Sequence, residues 1–148
     1  MQRIKLLFLG WVLSISLSAQ PSGKEETAVH KTVESMFSAL TNADTIALKN
    51  YVTTNVRFYE YGRVWNMDTL IQKAMQTKTI KDFKRTNSFL YVSTSIQKKT
   101  SWVTYYLQSI ISRDAKQETI NWQETVVLVK ERGHWKVDVL HSARINKN

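Results

Sequence analysis

Cysteine is absent from this 148-residue chain. Disulfide bonds, thiolate metal sites and cysteine nucleophiles are therefore excluded, and the fold must rely on its hydrophobic core. Glycine is scarce too, since after residue 20 it occurs only at Gly23, Gly62 and Gly133. A glycine-rich phosphate-binding loop is excluded, because such loops need several glycines close together. No serine stands in a GxSxG sequence, which argues against a serine hydrolase of that kind.

Histidine is also sparse and scattered. His30, His134 and His141 form no HxH or HxxxH pattern and stand in no carboxylate cluster. A metal site needs several such ligands at defined spacing. We therefore expect no metal and no cofactor.

Acidic residues are few, with 12 Asp and Glu against 21 Lys and Arg, which gives a formal charge of +9. The basic residues are spread out, and the densest groups are Lys81, Lys84, Arg85 and the pair Lys98-Lys99. A nucleic-acid-binding protein usually carries a basic run or a recognisable motif, and neither is present. We expect a solvated basic surface and no nucleic-acid partner, with a polyanion site as the less favoured alternative.

The N-terminus has the order of a secretory signal peptide. Residues 1–5 include the basic residues Arg3 and Lys5, residues 6–13 are apolar, and residues 14–20 are mostly small. This order predicts a signal peptide at residues 1–19, cleaved after Ala19, and a periplasmic or secreted protein. The apolar run is too short to span a membrane. The alternative is a buried N-terminal helix. Residues 20–148 then form one domain.

Three helices are predicted first. Apolar residues recur at three- and four-residue spacing from Val29 to Leu40, after a capping box formed by Ser22 and Glu25. Asp44 is the predicted cap of a short second helix that extends to Tyr51. A short strand follows at residues 56–60. The third helix is predicted at residues 67–77, with Asn66 as its cap.

Long strands complete the chain, at residues 82–97, 100–112, 118–131 and 134–146. If Lys98-Lys99 is a two-residue hairpin turn, Leu90 and Val92 face the core with the apolar row of the next strand. If Arg132-Gly133 is a second two-residue hairpin turn, the apolar row of the strand before it shares a face with the apolar row of the strand after it. The pattern predicts an α+β fold in which helices cover one face of an antiparallel sheet.

The last hairpin also gives the first candidate site. In the register set by Arg132-Gly133, Glu124 lies opposite His141 on an inner row that includes Trp122 and Trp135. Such a pair is either an acid–base couple, in which the carboxylate fixes the imidazole tautomer, or a polar pair that closes the sheet. The structural interpretation is preferred for His141.

Glu60 is the second candidate. It shares a strand face with Val56 and Phe58, and an inward carboxylate among aromatic residues would have a raised pKa. The alternative is a residue at the rim of the pocket, paired with Arg57, Arg63 or a lysine.

The terminal hairpin, with Gly133-His134-Trp135-Lys136-Val137 followed by His141-Ser142, resembles that of the nuclear-transport-factor-2-like (NTF2-like) superfamily. This superfamily is also described as SnoaL-like or as having a cystatin-like cone fold. Asn42-Ala43-Asp44, with Leu48 and Tyr51, resembles its second-helix region. The resemblance implies three helices on a strongly curved, mainly antiparallel sheet, a conical pocket and a homodimer formed through the sheet.

Members of the superfamily include ketosteroid isomerase, and Glu60 falls near the position of the isomerase's carboxylate base. The isomerase's tyrosine donor has no counterpart, because Met36 and Phe37 occupy the nearby inner positions. We therefore expect a domain that binds a small apolar or aromatic ligand in its pocket, or a domain that assembles with partners. The alternative is an isomerase, dehydratase or cyclase with a pocket Glu or His as general base. The predicted ligand-binding residues are Phe58, Tyr105, Trp122, Trp135 and His141, and the candidate catalytic residues are Glu60, Glu124 and His141.

Overall fold

The computed structural model describes residues 23–145. The predicted signal peptide and the predicted cap at Ser22 lie outside these residues. Three helices, α1 (Gly23–Thr41), α2 (Thr45–Tyr51) and α3 (Met67–Thr77), pack on one face of a sheet. Within the described residues, no helix is both long and apolar enough to cross a membrane.

The helices begin where the sequence provides side-chain caps. Asp44 Oδ1 accepts a 2.9 Å hydrogen bond from Ala47 N at the start of α2. Asn66 Oδ1 accepts a 3.0 Å bond from Thr69 N at the start of α3. Each cap satisfies a backbone N–H that has no partner within its helix. Both caps were predicted from the sequence, and both are confirmed.

The sheet is open and has six strands. Its spatial order is β2-β1-β6-β5-β4-β3, and every neighbouring pair is antiparallel except β1 and β6, which are parallel. The predicted α+β fold is confirmed. The strand bounds are β1 Val52–Glu60, β2 Arg63–Trp65, β3 Lys84–Gln97, β4 Thr100–Arg113, β5 Lys116–Glu131 and β6 His134–Ile145.

Both predicted two-residue turns are present, but a β-bulge in each hairpin changes the register beyond them. Tyr91 pairs with Tyr105 and Ser93 with Thr104, which leaves Val92 as an extra residue on β3. One extra residue moves every later side chain to the other face of a strand. The prediction that Leu90 and Val92 face the core is therefore wrong, since they are 66% and 62% exposed.

The second bulge lies at Asp138 on β6. Leu128 pairs with Val137, whereas Val127 pairs with Val139, so Asp138 has no partner on β5. Its carboxylate instead accepts a 2.7 Å hydrogen bond from Thr53 Oγ1 on β1. Beyond this point, every residue of β6 lies on the opposite face from the one it would have in an unbulged hairpin.

Candidate functional site

A cavity of about 260 Å³ lies between α1, α3 and the inner face of the sheet. Its walls are largely aromatic and aliphatic, and they include Phe37, Phe58 and Trp122. Four charged side chains also contribute, namely Glu60, Lys73, Arg85 and Glu124. An apolar cavity with a few converging polar groups is the usual composition of a small-molecule site.

Glu124 projects into the cavity from the middle of β5 and is only 3% exposed. Its Oε1 accepts a 2.9 Å hydrogen bond from Ser142 Oγ, while Oε2 has no hydrogen-bond partner within residues 23–145. Burial raises the pKa of Glu124 to about 7, and the nearby charge of Glu60 acts in the same direction. Tyr105, Ser142 and Arg85 oppose this shift by stabilising the carboxylate. Near neutral pH this carboxyl therefore both gives up and takes up a proton readily.

Tyr105 lies opposite Glu124 on the neighbouring strand β4 and is 1% exposed. Burial, and then the negative charge of Glu124, raise the pKa of the Tyr105 hydroxyl well above its ordinary value. No hydrogen bond of ordinary length and angle connects this hydroxyl to another described residue. It is nevertheless close enough to lower the pKa of Glu124. Tyr105 therefore lies next to the cavity carboxylate as a neutral donor.

Glu60, at the end of β1, also lines the cavity. Burial raises its pKa, and the positive charges of Arg85 and then Lys73 partly counteract that shift. The alternative of a rim residue paired with Arg57, Arg63 or a lysine is not observed, because Glu60 forms no ion pair within residues 23–145. Two carboxyl groups with raised pKa thus share one cavity.

Arg85, at the start of β3, provides a cation close to both carboxyl groups. Its Nε donates to Asn87 Oδ1 at 3.0 Å, and its Nη2 donates to Ser109 Oγ at 3.0 Å. Burial lowers the pKa of the guanidinium, whereas the charges of Glu124 and Glu60 raise it. The group is therefore a partly desolvated cation held by two neutral side chains.

An aromatic cluster forms another wall of the cavity. The ring of Tyr61 contacts that of Trp122 edge-on at 5.6 Å, and Trp65 lies 6.5 Å from Tyr61. Lys73 Nζ lies 4.5 Å above the Trp65 ring. Trp122 Nε1 is buried and has no hydrogen-bond acceptor among the described residues. The wall thus presents a broad apolar surface to the cavity.

Two of the predicted site residues lie elsewhere. Trp135 lines a separate open groove of about 910 Å³ beside the β5–β6 turn, and its Nε1 donates a 3.0 Å hydrogen bond to Glu25 Oε2. His141 is exposed on the outer face of the sheet, opposite Thr125. The predicted inward orientation of His141 and its pairing with Glu124 are therefore wrong, because the bulge at Asp138 places Ser142 on the inner face instead.

The cavity does bring together Phe58, Glu60, Trp122 and Glu124, with Tyr105 next to them. Sequence reasoning missed Arg85, although a signal existed. Arg85, Asn87, Phe89 and Tyr91 alternate along β3, so a register based on the two aromatic residues places Arg85 on the inner row. Ser142 had no comparable signal, since its orientation depends on the bulge.

The arrangement is suited to ligand binding and to proton transfer. Within residues 23–145, no three His, Asp or Glu side chains are grouped closely enough to hold a metal ion. A carboxyl group with a pKa near 7 is a competent general acid or base at neutral pH. The aromatic walls favour a flat or apolar ligand.

No family model matches the sequence, and no curated protein matches it. Several solved structures do resemble its fold. An NTF2-like protein from Cytophaga hutchinsonii has a TM-score of 0.64 and 15% identity, over 82% of this chain and 98% of that one. A ketosteroid isomerase-like protein from Erwinia carotovora atroseptica has a TM-score of 0.64 and 17% identity, over 85% and 100% of the two chains. The association domain of C. elegans CaMKII has a TM-score of 0.68 and 14% identity, over 82% of this chain and 96% of that one.

At these identities the likeness concerns the fold alone. The chain therefore has the nuclear-transport-factor-2-like fold, as its terminal hairpin indicated.

Proposed function

We propose that this chain binds a small, mainly apolar or aromatic molecule in the inner cavity. The observation that carries the proposal is a cavity of about 260 Å³ with largely aromatic and aliphatic walls, which Glu60, Arg85 and Glu124 also line. The cavity lies slightly below the usual volume range for drug-sized ligands, so a small ligand fits best.

A thermal-shift screen of small aromatic compounds on residues 20–148, followed by calorimetric titration of the best compound, tests this proposal. Ala74 lines the cavity and is 5% exposed, so Ala74→Leu partly fills the cavity. The neighbouring Met75 is 44% exposed, and Met75→Leu is the matched control. We expect Ala74→Leu to weaken binding about tenfold or more by steric overlap, while Met75→Leu binds normally. Equal binding by the folded Ala74→Leu variant would place the ligand elsewhere.

Catalysis of proton transfer is the second candidate function. It is supported by the pKa of about 7 for Glu124 and the raised pKa of Glu60 in the same cavity. In this interpretation Glu60 or Glu124 is the general base of an isomerase, dehydratase or cyclase. His141 has no part in it, because it lies on the outer face.

The two functions differ in what happens to a bound ligand. An enzyme of this kind accelerates exchange of a ligand's acidic C–H hydrogens with deuterium in D₂O, which NMR follows directly. Exchange that is lost in Glu60→Gln or Glu124→Gln, with ligand affinity retained, would support catalysis. Binding without accelerated exchange would support a binding domain.

We also propose that two copies associate through the outer face of the sheet. This face exposes several large apolar residues, among them Leu90, Val92, Trp102 and Tyr106. Such patches on a soluble domain commonly mark protein interfaces. One structural neighbour is an association domain. A dimer would cover this face and leave the helices and the cavity on the opposite side.

Export remains part of the proposal. The basic, apolar and small residues at positions 1–20 support cleavage after Ala19 and a periplasmic or secreted location. Expression of the full chain in a Gram-negative host, with N-terminal sequencing of the periplasmic product, tests it. The expected mature N-terminus is Gln20, and a cytoplasmic product that retains Met1 would contradict the proposal.

A further inference from the structure

Arg85 borders two separate spaces in the molecule. On one side it lines the inner cavity between Glu60 and Glu124. On the other side it lines an outer groove of about 480 Å³ between the end of α1 and the start of β3. The groove walls also include Glu34, Thr41, Asn87 and Phe89. Arg85 is therefore part of the partition between the cavity and the groove.

Two aromatic side chains, Phe37 and Phe89, also lie between the cavity and the groove. Phe37 lines the cavity and Phe89 lines the groove, and their rings meet edge-on at 5.5 Å. The Arg85 guanidinium lies 5.9 Å from the centre of the Phe37 ring. Phe37, Phe89 and Arg85 thus lie between the two spaces.

Arg85 takes part in no ion pair within residues 23–145. Asn87 and Ser109 are the side chains that accept its hydrogen bonds, and both are neutral. Its Nη1 donates to none of the described residues. A partly buried guanidinium usually has a carboxylate partner, because removing the charge from water is otherwise unfavourable. The guanidinium thus has two carboxyl groups near it, Glu60 and Glu124, but forms a direct ion pair with neither.

We infer that the cavity and the groove are two compartments of one site for an amphipathic acid, whose anionic group binds Arg85 and whose apolar body occupies the cavity. The inference rests on the proposed binding function and names its ligand class. Arg85 supplies the planar fork that a carboxylate matches. Phe37, Phe58 and Trp122 supply the apolar surface.

The other charged and titratable groups around Arg85 determine how binding depends on pH. Glu60 from β1 and Glu124 from β5 line the same cavity, Lys73 faces it from α3, and Glu34 faces the groove from α1. Tyr61 and Tyr105 lie beside the two cavity carboxyl groups and are neutral donors at pH 7. A bound anion repels ionised Glu60 and Glu124, so binding favours their protonated forms. The acid is therefore taken up together with protons, and its affinity rises as the pH falls.

Arylalkanoic acids from phenylacetate to 4-phenylbutyrate, each paired with its primary amide, are suitable probes. The acid and the amide have nearly the same shape and differ in charge. Calorimetry at pH 6 and pH 8, in two buffers of different ionisation enthalpy, gives both affinity and proton uptake. For the wild-type protein we expect at least one acid to bind about tenfold more tightly than its amide, with proton uptake.

Arg85→Gln should remove this preference. The matched control is Lys84→Gln, which removes the same charge from the adjacent, exposed position. If Arg85→Gln does not fold, Asn87→Asp replaces it as the test. That variant places a carboxylate beside the guanidinium, which should lower acid affinity about fivefold or more relative to amide affinity.

The outcomes separate the inference from the function on which it rests. Equal affinity for acids and amides in the wild-type protein would overturn the inference and leave the binding function intact. Acid preference that survives Arg85→Gln, or that falls equally in Lys84→Gln, would overturn it as well. Binding of neither acids nor amides, together with a negative thermal-shift screen, would overturn both.

Discussion

Ser142 donates a 2.9 Å hydrogen bond to Glu124 across β5 and β6, inside the core. This contact exists because the bulge at Asp138 turns Ser142 towards the helices and His141 towards solvent. A one-residue irregularity on the last strand thus determines which side chain supports the cavity carboxylate.

Ser142→Ala removes this donor. The bond from Ser142 lowers the pKa of Glu124, so its loss should raise that pKa further above about 7. We expect the free energy of unfolding to fall by about 1–2 kcal/mol, and by more at pH 8, where Glu124 is ionised, than at pH 5. Urea denaturation at both pH values measures the change. A loss that is the same at the two pH values would show that Ser142 does not stabilise the carboxylate.

Glu124→Gln should alter how stability depends on pH. The pKa of Glu124 is about 7 in the folded state, whereas the ordinary value for a glutamate is 4.5. A raised carboxyl pKa gives a stabilising contribution that is complete below pH 4.5 and is lost as the pH rises through 7. Between pH 4.5 and pH 8, the wild-type protein should therefore lose about 3 kcal/mol more stability than Glu124→Gln.

Denaturation curves at several pH values measure this difference. Glu131→Gln, which removes a carboxylate from an exposed position, is the control for the change in net charge. It should preserve the pH trend of the wild-type protein. If Glu124→Gln also preserves that trend, Glu124 does not titrate in this range.

Ala115→Gly should stabilise the protein. Asp114 and Ala115 form the β4–β5 turn with φ angles of +49° and +58°, a region that alanine adopts at a cost. Asp-Gly is the preferred sequence for such a turn. We expect a gain of about 1 kcal/mol, visible as a rise in melting temperature. Ala143→Gly, on an exposed strand position, is the control and should be destabilising.

Trp102→Glu should disrupt the proposed dimer. Trp102 is 40% exposed on the outer face of the sheet, and a charge there would be buried on association. Sedimentation velocity should show a dimer for the wild-type protein and a monomer for the variant. Gln72→Glu introduces the same charge on the exposed side of α3 and should remain dimeric. A monomeric wild-type protein at high micromolar concentration would refute the dimer.

The sequence predicted much of the fold because its elements are marked locally. Asp44 and Asn66 mark helix starts, and Lys98-Lys99 and Arg132-Gly133 mark turns. The side-chain orientations beyond the turns were harder to predict from the sequence. A regular two-residue alternation from Arg132-Gly133 places His141 on the inner face of the sheet. No residue near Asp138 in the sequence indicates the bulge there. The partner that holds the bulge, Thr53, is 85 positions away in the chain.

The same limit applies to the cavity. Glu60 and Glu124 could be predicted as site residues because each interrupts an apolar row within its own strand. Alternation along β3 places Arg85 on the inner row, but its role was missed because that role depends on its proximity to residues of four other elements, namely α1, β1, β4 and β5. Periodicity describes one element at a time, whereas this site is formed by their packing.

The parallel pairing of β1 with β6 has a consequence for how the chain acquires its structure. β1 lies early in the sequence. In the sheet it is flanked by β2 on one side and by β6, the last strand, on the other. Until β6 is available, β1 and β2 have no connection to the β3–β5 meander within the sheet. Pairings between distant segments form slowly, because a long loop must close first. Ribosome-bound chains that lack β6 should therefore remain open to proteases, and protection should arise late, when the final hairpin joins the two halves of the sheet.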